Sequence, residues 1–201
     1  MTAFFDRVAA RYDRAFAPTA ADTAADLAPP LVGRTGVALD LGCGTGRAFP
    51  HLRAAGLRVI GLDASRPMLL EAARRASARE VARVRADLYA RWPLRDRSID
   101  VLLAFHSVLA HPPGDPERAW RHVGDEMRRV ARAGALVVVD LPEPSWAATY
   151  LRAVGPDRFL HEAGGVAIEA VIPAPSRVLA ALGLPLSLGE GPLGARAIGE
   201  L

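Results

Sequence analysis

Three aspartates and a cluster of glycines are the residues of this chain best suited to hold a ligand. The short apolar run Val37-Ala38-Leu39-Asp40-Leu41 leads into Gly42-Cys43-Gly44-Thr45-Gly46. Glycines at such a point let the backbone turn tightly and approach a ligand closely. The segment from Arg47 to Ala55 reads as a helix whose N-terminus faces the same spot. The spacing is G-x-G-x-G, whereas a dinucleotide fingerprint needs G-x-G-x-x-G, and position 47 is arginine. A P-loop needs a lysine, and all 25 basic residues here are arginine. Asp63 and Asp87 follow Asp40 at intervals of 23 and 24 residues, each at or just past the end of a further strand-like run. Carboxylates accept from hydroxyl, amine and ammonium groups. Asp63 suits a ribose diol, Asp87 an exocyclic amine and Asp40 an ammonium, which together describe a nucleoside joined to an amino acid without phosphate. The plainer reading of each aspartate alone is a helix cap or a loop residue.

These residues need a frame that delivers strand ends to one edge. Five runs read as buried strands: Val37–Leu41, Arg58–Leu62, Val81–Ala86, Ile99–Phe105 and Ala135–Leu141. Helical patterns alternate with them: Arg47 to Ala55, Ser65 (as N-cap, with Pro67 in the first turn) to Ala78, and Pro116 to Ala131, stopped by Gly134. Near-continuous apolar strands alternating with helices imply a parallel sheet covered on both faces, and right-handed crossovers make it a doubly wound α/β fold. Its ligands bind at the carboxyl edge of the strands. Before this unit, Phe4, Phe5, Val8, Tyr12 and Phe16 fall at helical spacing, and Thr19 or Asp22 begins a second helix running to Leu27. After Leu141 the pattern weakens: a short helix within Pro142–Gly155, a strand or hairpin arm at Gly165–Ile172, a helix at Ser176–Leu182, and final strands at Leu186–Leu188 and Ala195–Leu201.

Several of these segments resemble the successive motifs of class I S-adenosylmethionine (SAM) dependent methyltransferases. They are Val37 to Gly46, Gly61-Leu62-Asp63-Ala64-Ser65 with Met68, Asp87-Leu88, and Trp92-Pro93-Leu94 with Ser98-Ile99-Asp100. Phe5-Asp6, Ala9 and Tyr12-Asp13 resemble the opening helix of the small-molecule branch that includes the ubiquinone and menaquinone methyltransferases, and Arg128 to Val137 its approach to strand five. The resemblance spans residues 4 to 141. It implies a Rossmann-like sheet of seven strands, order 3-2-1-4-5-7-6, with strand seven antiparallel and helices on both faces. It implies SAM as cofactor and no metal. Gly42 and Gly44, with Cys43 as a small residue between them, would lie against the methionine part and Asp63 on the ribose. Ala64 and Met68 would line the adenine, with Asp87 and Leu88 at its amino edge, and Phe105 and His106 would face cofactor and substrate. Ala133-Gly134 departs from the family's usual Pro-Gly.

The expected function is methyl transfer to a small molecule by in-line displacement. The alternatives are a SAM-binding sensor or scaffold of the same fold and, less well matched to the glycine spacing, an NAD-dependent oxidoreductase. His106 is the candidate general base, against a merely pocket-shaping role. Tyr12 either covers the SAM carboxylate or belongs to a hydrophobic stripe. Trp92 packs on adenine or in the core, and Asp140 faces substrate or caps a helix. Trp146, Tyr150, Phe159 and His161 are candidate cap residues. His106 and His111 are poorly spaced for a metal and lack a third ligand.

Composition narrows the rest. Without lysine there is no Schiff-base chemistry. The lone Cys43 excludes an internal disulfide framework. The net charge of +3 and dispersed arginines argue against nucleic acid, and no Asn-Pro-Pro-Tyr-type motif follows strand four. The charged N-terminus is no signal peptide and no apolar stretch spans a bilayer, so the expectation is a cytoplasmic monomer or homodimer without membrane insertion. The expected organisation is one domain over 1–201, with an N-terminal helical lid at 1–34 and a substrate cap at 142–185.

Overall fold

The structure, a computed structural model, describes residues 2–15, 29–75, 80–163 and 165–201. Its centre is a seven-stranded sheet. Five strands come first: β1 (Val37–Leu41), β2 (Arg58–Asp63), β3 (Ala82–Arg85), β4 (Ile99–Ala104) and β5 (Ala131–Pro142). Three further strands, β6 (Arg152–Gly155), β7 (Arg158–Ala163) and β8 (Val166–Val171), form a small antiparallel sheet of their own. The chain then returns to the main sheet as β9 (Ser187–Gly191) and β10 (Gly194–Glu200). The main order is β3-β2-β1-β4-β5-β10-β9. Counting only this sheet's own strands, that reads 3-2-1-4-5-7-6; the insert makes its last two the ninth and tenth of the chain. β1 to β5 run parallel, while β10 is antiparallel to β5 and to β9.

The period of two along the central strands explains why both faces are covered. Leu39, Leu41, Leu102, Val137 and Val139 point into one core with Trp92, Trp120 and Met127. Their alternates Ala38, Val101, Leu103, Leu136 and Val138 point into the other, with Phe49, Leu52 and Val59. The helix α5 (Pro116–Val130) contributes Trp120, Val123, Met127 and Val130, one stripe at helical spacing. Asp115 caps it, its carboxylate accepting from the Arg118 N–H at 2.7 Å. This helix ends before Gly134, because the chain enters the strand directly at Ala131. Trp92 is core: its indole N–H donates to the Leu88 carbonyl at 2.9 Å, away from any ligand.

The N-terminal segment is less regular than its spacing suggests. Helix α1 (Thr2–Val8) gives way to a 3₁₀ turn at Ala9–Arg11 and then to the single turn α2 (Tyr12–Ala15). Phe16, the expected continuation to Leu27, and the far end of the helix expected to reach Ala78 lie outside the described residues. Helix α3 (Phe49–Ala54) starts two residues later than its pattern, since 44–48 are spent in turns. Helix α4 (Arg66–Arg74) has the expected cap, Ser65 Oγ accepting from the Met68 N–H at 3.2 Å.

Helix α6 (Pro144–Tyr150) and β6 to β8 make up the insert, and helix α7 (Pro175–Leu182) follows it. Ala147, Phe159, Ala170 and Ile172 bury one side of the insert against Ala110, beyond β4. Ala163, Val166 and Ile168 pack with Phe4, Val8 and Met68, so α1 is held between α4 and the small sheet. Among the described residues no helix is long and apolar enough to cross a membrane.

Candidate functional site

The carboxyl ends of β1, β2 and β4 open into a cavity of about 350 Å³, the size of a pocket for a drug-sized ligand. Its floor is the glycine turn. The Cys43 N–H continues the sheet onto the Leu62 carbonyl at 3.0 Å. Gly42 sits at φ +60°, and a Cβ there would lie 2.6 Å from Val108 Cγ2. The position therefore excludes a side chain twice, by backbone conformation and by the approach of the loop after β4.

Asp63 at the end of β2 organises this floor. Its Oδ2 accepts from the Gly44 N–H and its Oδ1 from the Ser65 N–H, both at 2.8 Å. It thus holds the glycine turn and the start of α4 as well as facing the cavity, so the structural and the ligand-facing readings of this aspartate meet in one residue. Burial raises its pKa, against those backbone donors.

Asp40, one residue inside β1, is 4% exposed and lines the cavity. Burial, and then the charge of Asp63, push its pKa up to about 8. A buried carboxylate held this far up favours a cation arriving beside it.

Of the other predicted residues, Tyr12, Gly42, Cys43 and Gly44 line the cavity on the side of the glycine turn, and Ala64, Met68 and Leu88 beyond Asp63. Phe105 and His106 line it after β4. Burial raises the Cys43 thiol well above its usual range, so it stays protonated. Asp87 is the exception: it is exposed, lies outside the cavity wall, and accepts from the Tyr89 N–H at 2.9 Å. It closes its own turn, and the wall there is Ala86, Leu88 and Tyr89.

The floor is strapped from above by the N-terminal segment. Asp6 accepts from Ser65 Oγ at 2.6 Å. Asp13 accepts from Thr45 Oγ1 at 2.6 Å and Arg47 Nε at 2.9 Å, and pairs with Arg75. The Arg47 guanidinium lies 5.2 Å above the Tyr12 ring.

The loop after β4 is braced from β5 and β10. Asp140 does not line the cavity, and the next helix is preceded by Glu143 instead. It forms a buried ion pair with Arg196 at 2.8 Å and accepts from the His106 backbone N–H at 3.4 Å. Arg196 in turn stacks 5.2 Å from the Phe105 ring. His106 and Ser107 both adopt positive φ, +55° and +62°, a strained pair for residues with side chains.

The far wall comes from the insert and from α1. Trp146, Tyr150 and His161 line it, whereas Phe159 is core of the insert. Phe5 and His111 complete it, their rings 5.5 Å apart edge to face. Burial, with His111 nearby, lowers His161 to about 4. The sequence places His111 only in a poor metal pair, and Phe5 on a helical stripe and in the opening-helix motif, with no signal that either borders the cavity. Among the described residues no group of three or more His, Cys, Asp or Glu is arranged to hold a metal.

With this geometry in view, the relationships to other proteins are informative. Residues 38–134 match the model of the methyltransferase domain family. An uncharacterised 37.1 kDa transposon protein of Streptomyces fradiae is 38% identical over 112 residues, covering 54% of this chain and 30% of that protein. Cypemycin N-terminal methyltransferase of a Streptomyces species is 48% identical over 58 residues, 29% of this chain and 23% of that protein. The chain thus spans less than a third of these curated relatives. Among solved structures, the complex of DhpI with SAH superposes with a TM-score of 0.73 at 24% identity, covering 98% of this chain and 93% of that one. The complex of DhpI with SAM and HEP gives 0.70 at 26% identity, covering 98% and 94%. The family match thus covers just under half of the chain, residues 38–134, and the α/β fold is the one seen in DhpI with SAH and SAM.

Proposed function

We propose that this chain binds SAM in the cavity above β1, β2 and β4 and transfers its methyl group to a small-molecule acceptor seated against the insert. The observation that carries the reading is the pairing of Asp40 and Asp63 around the glycine turn. It offers a carboxylate for an ammonium and a second for hydroxyls, with no lysine or glycine-phosphate cradle. Gly44 supports the fit, because a Cβ there would meet nothing closer than the Gly42 carbonyl oxygen at 3.9 Å, leaving space above the turn. SAM complexes of DhpI, 26% identical over nearly the whole chain, favour the same ligand.

In this reading Asp40 holds the amino group, the floor around Gly42 and Gly44 receives the methionine part, and Asp63 takes the ribose. Met68, Ala64 and Leu88 enclose the base. Bound there, SAM supplies an electrophilic methyl carbon on a sulfonium that is already a good leaving group. The protein then aligns the acceptor and excludes water, a contribution of roughly 7–11 kcal/mol for well-positioned groups. Residues 1–34 act as a lid, latched by Asp6 and Asp13, and residues 142–185 supply the acceptor wall. The insert and its aromatic chamber favour the enzyme over a SAM-binding sensor or scaffold of the same fold. Membership of the small-molecule branch rests on the same chamber.

Calorimetric titration with SAH, beside NAD⁺ as control, tests the binding half. Methyl transfer from labelled SAM to a panel of phenols, quinols, carboxylates, amines and a peptide with a free α-amine tests the rest. Binding of NAD⁺ in place of SAH would end the proposal.

A further inference from the structure

His111 lies at the end of the loop after β4, just past a 3₁₀ turn at Val108–Ala110, and reaches across to the insert. Its Nδ1 is 2.9 Å from the backbone carbonyl oxygen of Glu169 on β8. A carbonyl oxygen only accepts, so Nδ1 must carry the proton. A neutral imidazole protonated at Nδ1 has its lone pair on Nε2. The ring also borders the acceptor chamber, between Phe5 and the insert. The same fixed-tautomer arrangement turns a histidine into a proton acceptor when Nδ1 is bonded to an oxygen behind it.

From this geometry we infer that Nε2 of His111 is the catalytic proton acceptor for a hydroxyl or amine acceptor, a role that rests on the methyl-transfer reading above. The acceptor's oxygen or nitrogen lone pair forms the new bond to the methyl carbon while the carbon–sulfur bond breaks and its electrons remain on sulfur. The proton leaving the acceptor moves to Nε2, giving an imidazolium that releases it to water after turnover. Burial independently keeps the ring neutral, lowering its pKa against the opposing effect of the Glu169 carbonyl. The ionisable side chains lining the cavity from this loop and the insert are His106, His161 and Glu162 on β7, and Tyr150 on α6; those of Tyr12, Asp40, Cys43, Arg47, Asp63 and Tyr89 line the side of the glycine turn and β3. Of these, His106, the candidate base of the sequence, and His161 are the competing bases. The bond to β8 also means that the base is set only when the insert is docked, which ties proton transfer to the element that holds the acceptor.

Two measurements test this. Long-range ¹H–¹⁵N spectra of the histidine rings, with His111→Asn to assign the signal, should show His111 neutral and protonated at Nδ1 near pH 7; protonation at Nε2 would overturn the assignment without any acceptor. Kinetics then use the panel member methylated fastest. His111→Asn keeps a donor for the Glu169 carbonyl but has no basic nitrogen. It should leave the SAH dissociation constant within ~3-fold and lower kcat by ~100-fold or more. It should also remove the fall of activity at acid pH, and added imidazole should restore part of the rate to His111→Ala. Retained kcat in His111→Asn, or loss of the acid limb in His106→Asn or His161→Asn alone, would overturn the assignment while leaving methyl transfer in place. A wild-type protein that binds SAH but methylates nothing would instead remove the parent reading, and this role with it.

Discussion

Asp40 offers the sharpest test, because the proposed ligand would have to displace a proton from it. Its pKa of about 8, against an ordinary 3.8, comes from burial first and the neighbouring Asp63 second. At pH 7 roughly nine molecules in ten then hold the proton, so binding an ammonium there should release ~0.9 proton per SAH. The release should fall to ~0.5 at pH 8 and vanish above about pH 9. Affinity should rise up to ~10-fold per pH unit towards pH 8 and level off above it, declining only where the α-amino group of SAH, which like that of a free amino acid holds its proton more tightly than a peptide N-terminus, loses its own charge. The assay is calorimetry in two buffers of different ionisation enthalpy, on wild type and Asp40→Asn. The variant should release no proton and lose the pH-dependent rise. The unliganded protein gives an independent check. Because the folded-state pKa is the higher one, the native state holds the proton that the unfolded chain gives up, so this group's contribution to stability is lost as pH rises from about 4 to about 8. The slope is on the order of 1 kcal/mol per pH unit, and the stability advantage of Asp40→Asn over wild type should widen across that window. SAH binding with no proton release at pH 7, or a stability difference independent of pH, would refute the placement of a protonated Asp40 beneath the ligand.

Three further perturbations follow from the same geometry. Gly42→Ala places a Cβ at positive φ and against Val108, and should cost ~1–2 kcal/mol from the backbone alone and weaken SAH binding, read by urea melts and calorimetry. Asp13→Ala removes the acceptor shared by Thr45, Arg47 and Arg75; amide exchange should quicken over residues 2–15 while β1 and β4 stay protected. Asp140→Ala takes away the carboxylate facing a buried guanidinium, and should lower stability by about 3–5 kcal/mol in urea melts, a loss that Asp140→Asn should reduce.

Much of this was legible in the chain because a parallel sheet writes itself plainly. Strands buried on both faces read as continuous apolar runs, and an aspartate at the end of such a run lies at the ligand edge, as Asp40 and Asp63 do. Asp87 fails the same inference because β3 is a largely exposed edge strand whose end is a turn, and a turn employs an aspartate on its own backbone. Of the small sheet only β8 was legible, as the arm expected over Gly165–Ile172. β6 is exposed throughout and β7 buries only Phe159, so neither has the alternation that marks a strand. A turn signal was nevertheless present in Gly155-Pro156-Asp157, where Asp157 takes φ +55° between β6 and β7. The settings of His111 and Asp140 were illegible for another reason: their partners, Glu169 and Arg196, lie 58 and 56 residues away, and only the fold brings them together.

The junction of α5 and α7 has a bearing on how such a protein can diversify. A Cβ at Gly124 would lie 2.0 Å from the Leu182 carbonyl oxygen, so these helices touch backbone to backbone, and Arg128 Nη2 donates to the Gly183 carbonyl at 2.7 Å. At the other end, the Glu143 N–H donates to the Leu193 carbonyl at 2.9 Å. The polypeptide is therefore riveted to the frame immediately before and after the stretch that forms the far wall of the cavity. On the proposed reading, a chimaera carrying a foreign stretch between these rivets should change which molecule is received and leave SAH binding undisturbed, which makes this stretch an interchangeable tool-head on a fixed chassis.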